Sequence, residues 1–186
     1  MSLKYTTINN GIDPSLQSSV IPKEIIDSEI SESPLVSAVM VTRGDPYLVK
    51  RSITMFENQT WSNKELVIVS NQNPEKIIEV IKYSQEEIKY KFVSEKMTLG
   101  NLRNLSISIA NGEYICQWDD DDLYDKNRIL YMMTTLRKAD SDAIFLTRVY
   151  LYWRSKRILA ISQQRVWEAT VLMKRSSTII YPNIDK

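Results

Sequence analysis

The sequence predicts an α/β fold with a mostly parallel central sheet. Short apolar runs rich in β-branched residues alternate with amphipathic stretches at helical spacing from residue 35 onward. Such runs are typical of strands buried on both faces, and their alternation with helices is typical of a parallel sheet. Polar segments follow three of the predicted strands directly, at the carboxyl ends where ligands bind in such sheets.

The composition indicates one globular domain without a strong charge bias. The chain has 186 residues, of which 43% are hydrophobic and 25% are charged. This length suits a single core, and this composition is ordinary for a globular protein. The 24 Lys and Arg residues balance 23 Asp and Glu residues, so the net charge gives no argument for a nucleic-acid partner or for an anionic membrane surface.

The absence of histidine narrows the possible chemistry. It excludes Ser-His-Asp and Cys-His catalysis and His-ligated zinc, and the single Cys116 excludes a disulfide within the chain. Chemistry must therefore rest on carboxylates, Lys and Arg, hydroxyls, backbone donors and a hard metal. Because no apolar run approaches the roughly 20 residues of a membrane span, we expect no transmembrane segment. We expect a cytoplasmic location, with the inner face of the membrane as the alternative.

Two regions are expected along the chain. Residues 1–33 are polar and lack a sustained period, which predicts an extended or poorly ordered leader before a domain at 34–186. Within the domain, Asp45 and Pro46 predict a helix start, and Asn111-Gly112 predicts a helix end. Strands are predicted at 35–41, 66–69, 88–93, 114–118, 143–146, 150–153, 158–161 and 170–173, and helices from 46, at 74–83, around 102–109 and at 126–138.

Four consecutive aspartates, residues 119–122, follow the predicted strand at 114–118. Adjacent carboxylates raise one another's pKa unless a cation or several donors stand nearby. Hard cations such as Mg²⁺ and Mn²⁺ take carboxylate oxygens and retain waters and phosphates as further ligands. A divalent metal site is therefore predicted here, and a solvated acidic turn is the open alternative. Trp118 is expected in the core.

An ordered set of segments resembles the family 2 glycosyltransferases. Residues 36–43 resemble that family's first strand and turn, and 99–104 resemble its "G-x-x-x-A-R-N" helix start. Residues 111–122 resemble "G-E-Y-I-x-x-L-D-x-D-D", which carries the family's Asp-x-Asp element. Residues 53–61, 65–69 and 126–129 also match in order, so the resemblance runs from about 35 to 182. It implies a GT-A type, Rossmann-like α/β/α sandwich.

The resemblance also implies a donor and its contacts. The donor would be a nucleotide diphosphate sugar, with a UDP-sugar favoured, held with Mg²⁺ or Mn²⁺. The acceptor, whether carbohydrate, lipid-linked or protein, is not identified. Metal ligation is implied for Asp121 and Asp119, and the nucleotide-sugar contacts are implied for Thr42, Arg43, Asp45, Ser70, Asn71, Gly100, Arg103, Asp119 and Asp120.

Two departures from the family pattern affect these expectations. Ser70-Asn71 stands where the family has an Asp that contacts the nucleobase. The family's Glu-Asp pair, which supplies the base for the acceptor hydroxyl, has no match before Lys186. Glu168 and Asp185 are the late carboxylate candidates for that base. We therefore expect a chain truncated before its acceptor portion.

Three functional hypotheses remain open at this point. The first is a metal-dependent, inverting glycosyltransferase. The second is a catalytically incomplete domain of the same fold that binds a nucleotide sugar. The third is an unrelated α/β protein whose acidic loop binds Ca²⁺ or no ligand at all.

Overall fold

The computed structural model describes residues 5–8, 33–176 and 180–183. The helices of the described chain are α1 (Pro46–Glu57), α2 (Pro74–Ile81), α3 (Leu99–Ile109) and α4 (Arg128–Lys138), with a 3₁₀ turn at Glu168–Thr170. The strands are β1 (Tyr5–Ile8), β2 (Val36–Thr42), β3 (Lys64–Ser70), β4 (Ile88–Phe92), β5 (Tyr114–Gln117), β6 (Ala143–Leu146), β7 (Tyr150–Trp153), β8 (Ile158–Ile161) and β9 (Leu172–Lys174). The predicted element order is confirmed, with boundaries that differ by a few residues.

Seven of these strands form one mostly parallel sheet, as predicted. Their order is β1-β6-β9-β5-β2-β3-β4. Strands β5, β2, β3 and β4 run parallel to one another, whereas β9 is antiparallel to both β5 and β6. β1 is parallel to β6 and falls within the predicted leader. Residues 9–32 lie outside the described residues, so the leader stays a prediction.

Helices pack on both faces of the sheet, which confirms the α/β/α sandwich. Alternate β2 residues enter different clusters because successive strand side chains point to opposite faces. Ala38 and Met40 pack with Phe56 of α1 and with residues of α2 and α4. Val39 packs with Val67 and Ile115 on the other face, beside α3. The centre of the sheet is therefore buried on both faces, as is expected of continuous apolar strands.

The predicted helix end at Gly112 is wrong. α3 ends at Ile109 with Ala110 as its C-cap, and Gly112 does not have the positive φ of a C-cap glycine. Gly112 instead lies against β2, where an added Cβ would meet the Ser37 nitrogen at 2.6 Å and the Leu35 carbonyl oxygen at 2.8 Å. This glycine is required for the close approach of two backbones.

Strands β7 and β8 form a separate antiparallel pair, which confirms the predicted late hairpin. It leaves the sheet after β6 and the chain returns through the 3₁₀ turn to β9. None of the helices in the described part of the chain is long and apolar enough to cross a membrane.

Candidate functional site

The acidic run begins at the carboxyl end of β5, beside the carboxyl end of β2. Trp118 precedes the run and is fully buried, as expected of a core residue. Its Nε1 donates to the Ser52 hydroxyl at 2.9 Å, and its ring lies 6.0 Å from Phe56 in an edge-to-face contact. This anchor fixes where the chain leaves the core and therefore where the four carboxylates begin.

Asp119 is held on both its carboxylate and its backbone. Gln117 Nε2 donates to its carboxylate at 2.7 Å, and Arg103 Nη2 lies 3.4 Å from both carboxylate oxygens. The Asp119 backbone nitrogen donates to the Tyr124 hydroxyl at 2.7 Å, and that hydroxyl donates to the Asp119 carbonyl at 3.1 Å. Asp119 is thus oriented by α3, by β5 and by the loop that follows.

Asp120 connects the acidic run to β2. The buried Thr42 hydroxyl donates to its carboxylate and accepts from the Gly44 nitrogen at 2.9 Å. Arg51 Nη2 donates to the Asp120 carbonyl at 3.3 Å. Burial raises the pKa of Asp120, the Thr42 hydrogen bond opposes that rise, and the negative charge of Asp121 adds to it. The predicted residues Thr42 and Asp120 therefore meet, and the carboxyl carries an unfavourable charge.

Arg128 lies buried beneath the run. Its guanidinium stacks 4.2 Å from the Tyr124 ring and 5.3 Å from the Trp118 ring, and Nη2 donates to the Gln117 carbonyl at 2.9 Å. Partial burial raises the pKa of Asp122, the charges of Asp119 and Asp121 add to that rise, and the charge of Arg128 opposes it. The arginines around the run thus compensate its negative charge only in part.

The donor set fits a hard divalent cation. Asp121 and Asp122 are exposed, whereas the carboxylates of Asp119 and Asp120 already accept hydrogen bonds from Gln117 and Thr42. Within the described ranges, no group of three or more Asp, Glu, Cys or His residues forms a preformed metal cage. A cation here would therefore complete its coordination with water or with oxygens of a bound ligand, as Mg²⁺ commonly does beside phosphates.

A late segment of the chain, which contains Tyr181, is hydrogen-bonded to α3. The Asn104 side chain accepts from the Tyr181 nitrogen at 2.8 Å and donates to the Tyr181 carbonyl at 3.0 Å. Arg103 lies 5.3 Å from the Tyr181 ring, whose hydroxyl donates to Gln117 Oε1 at 3.3 Å. At Gly100 an added Cβ would collide with the Pro182 carbonyl oxygen. Gly100 therefore admits this segment to the site.

Sequence reasoning missed three of these contributors. Tyr181 and Asn104 lie within segments that resemble the family, but nothing local indicates that one clasps the other. Tyr124 was missed because its role depends on stacking against Arg128. The position of Arg128 at the start of an apolar helix was the available signal for a buried arginine.

The other residues that were predicted to contact the nucleotide sugar differ in their burial. Ser70 is buried at the register position opposite Thr42, and Asn71 follows it half-buried at the same edge. Arg43 is exposed. Asp45 caps α1, accepting from the nitrogens of the second and third residues after it at 2.9 and 3.2 Å.

The structure describes one of the two carboxylates that were candidates for the catalytic base. Glu168 is exposed in the 3₁₀ turn, and its charge contributes to raising the pKa of Tyr181, after burial, which is the main cause. Asp185 lies outside the described residues.

A family model and a curated relative match this chain. The family model described as Glycosyl transferase family 2 matches residues 37–182. An uncharacterized glycosyltransferase of Methanocaldococcus jannaschii is 40% identical over 98 residues, which cover 50% of this chain and 33% of that relative. The chain spans about a third of the length of this curated relative.

Solved structures share the fold at low sequence identity. A crystal structure of residues 1–349 of TarS from S. aureus has a TM-score of 0.62 at 15% identity, covering 75% of this chain and 47% of that one. A mannosyltransferase from Pyrobaculum calidifontis, solved in complex with GDP-Man and Mn²⁺, has a TM-score of 0.53 at 14% identity. That match covers 65% of this chain and 39% of the mannosyltransferase.

Proposed function

From the premise that the chain belongs to glycosyl transferase family 2, we propose that it binds a nucleoside diphosphate sugar at the carboxyl edge of its sheet. A divalent cation, Mg²⁺ or Mn²⁺, would bind with that donor, and the chain would supply the donor half of an inverting sugar transfer. The observation that carries the proposal is the meeting of Thr42, Arg103 and the four aspartates at one edge.

Arg103 is the proposed contact to the diphosphate. Its side chain is 15% exposed, and its separation of 3.4 Å from the Asp119 oxygens is long for a charged hydrogen bond. Its Nε has no hydrogen-bond partner among the described residues. A planar guanidinium with spare donors suits phosphate oxygens, and its stacking on Tyr181 holds it in place.

Asp121 is the proposed cation ligand, with Asp119 as the second carboxylate. Asp121 is exposed towards solvent, whereas Asp119 is oriented by Gln117 and Arg103. When bound, the cation would neutralise negative charge on the departing nucleoside diphosphate. The mannosyltransferase solved with GDP-Man and Mn²⁺ shares this fold, which supports the same pairing of metal and donor here.

The nucleoside side of the site is proposed at the ends of β2 and β3. Thr42 and Arg43 would border the ribose and the base, and Asn71 would offer an amide to the base edge. Ser70 holds its own turn, donating to the Gln72 carbonyl at 2.6 Å and accepting from the Gln72 nitrogen at 3.0 Å. An amide donates as well as accepts, so it can pair with a base edge that carries both a carbonyl and an N–H group, as uracil does. A UDP-sugar, which the family resemblance implies, stays the favoured donor.

Transfer also needs a base for the acceptor hydroxyl. Glu168 is the candidate carboxylate in the described chain, and its charge is one of those that raise the pKa of Tyr181, after burial. Its exposed position in a short 3₁₀ turn favours a second candidate function, in which this chain binds the donor without completing transfer. The acceptor class stays open.

Thermal unfolding with nucleotides tests donor binding. UDP or GDP with Mn²⁺ should stabilise the wild-type chain, by about 2.7 kcal/mol when the ligand is at 100 times its Kd. Asp121→Asn should lose the stabilisation that depends on Mn²⁺. Glu79→Gln, an exposed carboxylate on α2, should retain it. Absence of stabilisation by either nucleotide with Mn²⁺ would refute the proposal.

A turnover assay separates the two candidate functions. Release of free sugar from UDP-sugar and GDP-sugar donors is measured with and without simple sugar acceptors. Turnover that falls at least 100-fold in Glu168→Gln, with donor binding intact, would establish the first function and the role of Glu168. Donor binding without turnover would establish the second.

A further inference from the structure

Residues 147–167, named here the basic hairpin, form a projecting unit of the chain. β7 and β8 pair from Tyr150 opposite Ile161 to Trp153 opposite Ile158. Backbone bonds extend the pairing towards the sheet, from Ser162 N to Val149 O and from Arg165 N to Thr147 O, each at 2.9 Å. The pair is hydrogen-bonded to no third strand within the described chain.

Both faces of the basic hairpin expose large apolar side chains. Because side chains alternate along a strand, one face carries Tyr150, Tyr152, Leu159 and Ile161, exposed by 66, 60, 63 and 43%. The opposite face carries Trp153 and Ile158, exposed by 46 and 48%. A two-stranded sheet has little core of its own, and exposed apolar clusters on such elements mark interaction surfaces.

The charge of the basic hairpin is of one sign. It contains 5 of the chain's 24 Lys and Arg residues and none of its 23 Asp and Glu residues, which leaves 19 against 23 elsewhere. Arg154, Lys156 and Arg157 lie together in the turn and are exposed. Arg165 stacks 3.7 Å from the Trp167 ring at the base. The basic hairpin therefore combines a purely positive charge with exposed apolar side chains, whereas the chain as a whole is near neutral.

We propose that the basic hairpin docks on an anionic lipid bilayer. Tyr and Trp favour the boundary between headgroups and acyl chains. Lys and Arg near an anionic leaflet each add attraction that falls off within a Debye length. The exposed Ile158, Leu159 and Ile161 distinguish this partner from nucleic acid, which stacks on aromatic rings but leaves aliphatic side chains unused.

The direction of the sheet relates this surface to the candidate site. β9 is antiparallel to both β5 and β6, so β5 and β6 point the same way. The basic hairpin begins directly after β6 ends, and the acidic run follows β5. Both therefore emerge from the same edge of the sheet, and docking would hold that edge near the membrane. The inference does not rest on the proposed donor chemistry.

Vesicle cosedimentation with the full chain tests the proposal. The probes are vesicles of phosphatidylcholine alone and of phosphatidylcholine with phosphatidylglycerol at about 7 to 3. The wild-type chain should bind the anionic vesicles in about 0.1 M salt and release them in about 1 M salt, because surface attraction is screened. Binding should also shift the tryptophan fluorescence to shorter wavelength.

Matched variants test whether vesicle binding depends on the cations of the basic hairpin or on the net charge of the whole chain. Replacing Arg154, Lys156 and Arg157 with Gln should weaken binding on the order of 100-fold, at about 1 kcal/mol per cation. The same change at three exposed lysines outside the hairpin, Lys76, Lys82 and Lys96, should leave binding within about twofold of wild type.

A second pair of variants tests the apolar contribution. Tyr152→Ser with Leu159→Ser should weaken binding at least tenfold, since both side chains are largely exposed and would enter the interface. Ile78→Ser with Tyr83→Ser, at exposed positions in and just after α2, is the matched control. Thermal unfolding of each variant checks that it remains folded.

Four results would overturn the proposal. They are absence of binding to anionic vesicles, equal binding by the turn variant and its lysine control, tighter binding to an RNA or DNA duplex, and hairpin-dependent dimerisation in place of vesicle binding. Because no nucleotide enters the assay, its failure and the failure of donor binding are distinguishable.

Discussion

The two edges of the central sheet shift the pKa of a carboxyl group in opposite directions. At the amino edge, Glu65 is surrounded by donors, and at the carboxyl edge, Asp120 stands among other carboxylates. Burial raises the pKa of Glu65, but hydrogen bonds from Lys89, Ser37 and the Asn111 nitrogen outweigh it, so the pKa is lowered. The pKa of Asp120 is raised, first by burial and then by the negative charges of Asp121 and Asp119, against the Thr42 hydrogen bond. The amino edge thus stabilises its carboxylate, whereas the carboxyl edge holds a partly buried carboxylate among like charges, which a bound cation would relieve.

The geometry of the amino edge explains its stability. Glu65 Oε1 accepts from the Ser37 hydroxyl and the Asn111 nitrogen at 2.6 Å each and from the Gly112 nitrogen at 3.2 Å. Lys89 Nζ lies 2.8 Å from Oε2. A single carboxylate thereby joins the beginnings of β2, β3, β4 and β5.

The largest effect on stability is expected at Gly112. Gly112→Ala should lower the free energy of unfolding by roughly 3 kcal/mol, because the new Cβ collides with Ser37 and forces β5 away from β2. Urea unfolding measures the loss. Asn111→Ala is the control, since Asn111 is exposed and contacts Glu65 through its backbone. A Gly112→Ala chain as stable as that control would contradict the close approach.

Glu65→Gln should have a smaller effect, with a characteristic pH dependence. It should lower the free energy of unfolding by about 2 kcal/mol at neutral pH, because charged hydrogen bonds are lost. The pKa of Glu65 is lowered on folding, so its stabilisation is full well above about 4.3, the ordinary glutamate pKa, and is lost as the pH falls through the folded value.

Urea unfolding of wild type and Glu65→Gln across this acidic range measures the gap between them. The gap should close as the pH falls, whereas Glu79→Gln, at an exposed position on α2, should show no comparable gap. A gap that widens towards acid would reverse the expected sign.

The smallest effect on stability is expected at Asp121. Asp121→Asn should change the free energy of unfolding by no more than about 0.5 kcal/mol in the absence of metal, because the side chain is exposed. Any change should be stabilising, since one of several like charges is removed. Urea unfolding in the presence of a chelator tests this. A loss above about 1 kcal/mol would indicate that Asp121 stabilises the fold, as Glu65 does.

The fold was predictable from local patterns because its central strands β2, β3 and β5 are short, apolar and buried on both faces. β2 and β3 follow from composition alone, and the rule that parallel strands end together placed Thr42 beside the acidic run. The direction of β9 was not predictable in this way. Three residues between antiparallel neighbours carry no signal of direction in their sequence.

The details of the site depended on contacts across long stretches of chain. Asn104 clasps Tyr181 77 residues later, and Arg128 is buried by stacking on Trp118 and Tyr124. Asn104 and Arg128 could be recognised from the sequence as polar residues in or near a matched segment, but their partners could not be predicted. Gly112 shows the opposite error, since its sequence context suggested a helix cap whereas tertiary packing requires the glycine.

The most direct test of the central claim compares the two edges in one titration. Calorimetric binding of UDP and GDP with Mn²⁺ is measured for wild type, Asp121→Asn and Glu65→Gln at neutral pH. We predict that Asp121→Asn loses Mn²⁺-dependent binding by 10- to 100-fold, a range of about the size seen at metal sites, while Glu65→Gln binds like the wild type. Unchanged binding in Asp121→Asn, or a loss confined to Glu65→Gln, would contradict the assignment of ligand binding to the carboxyl edge.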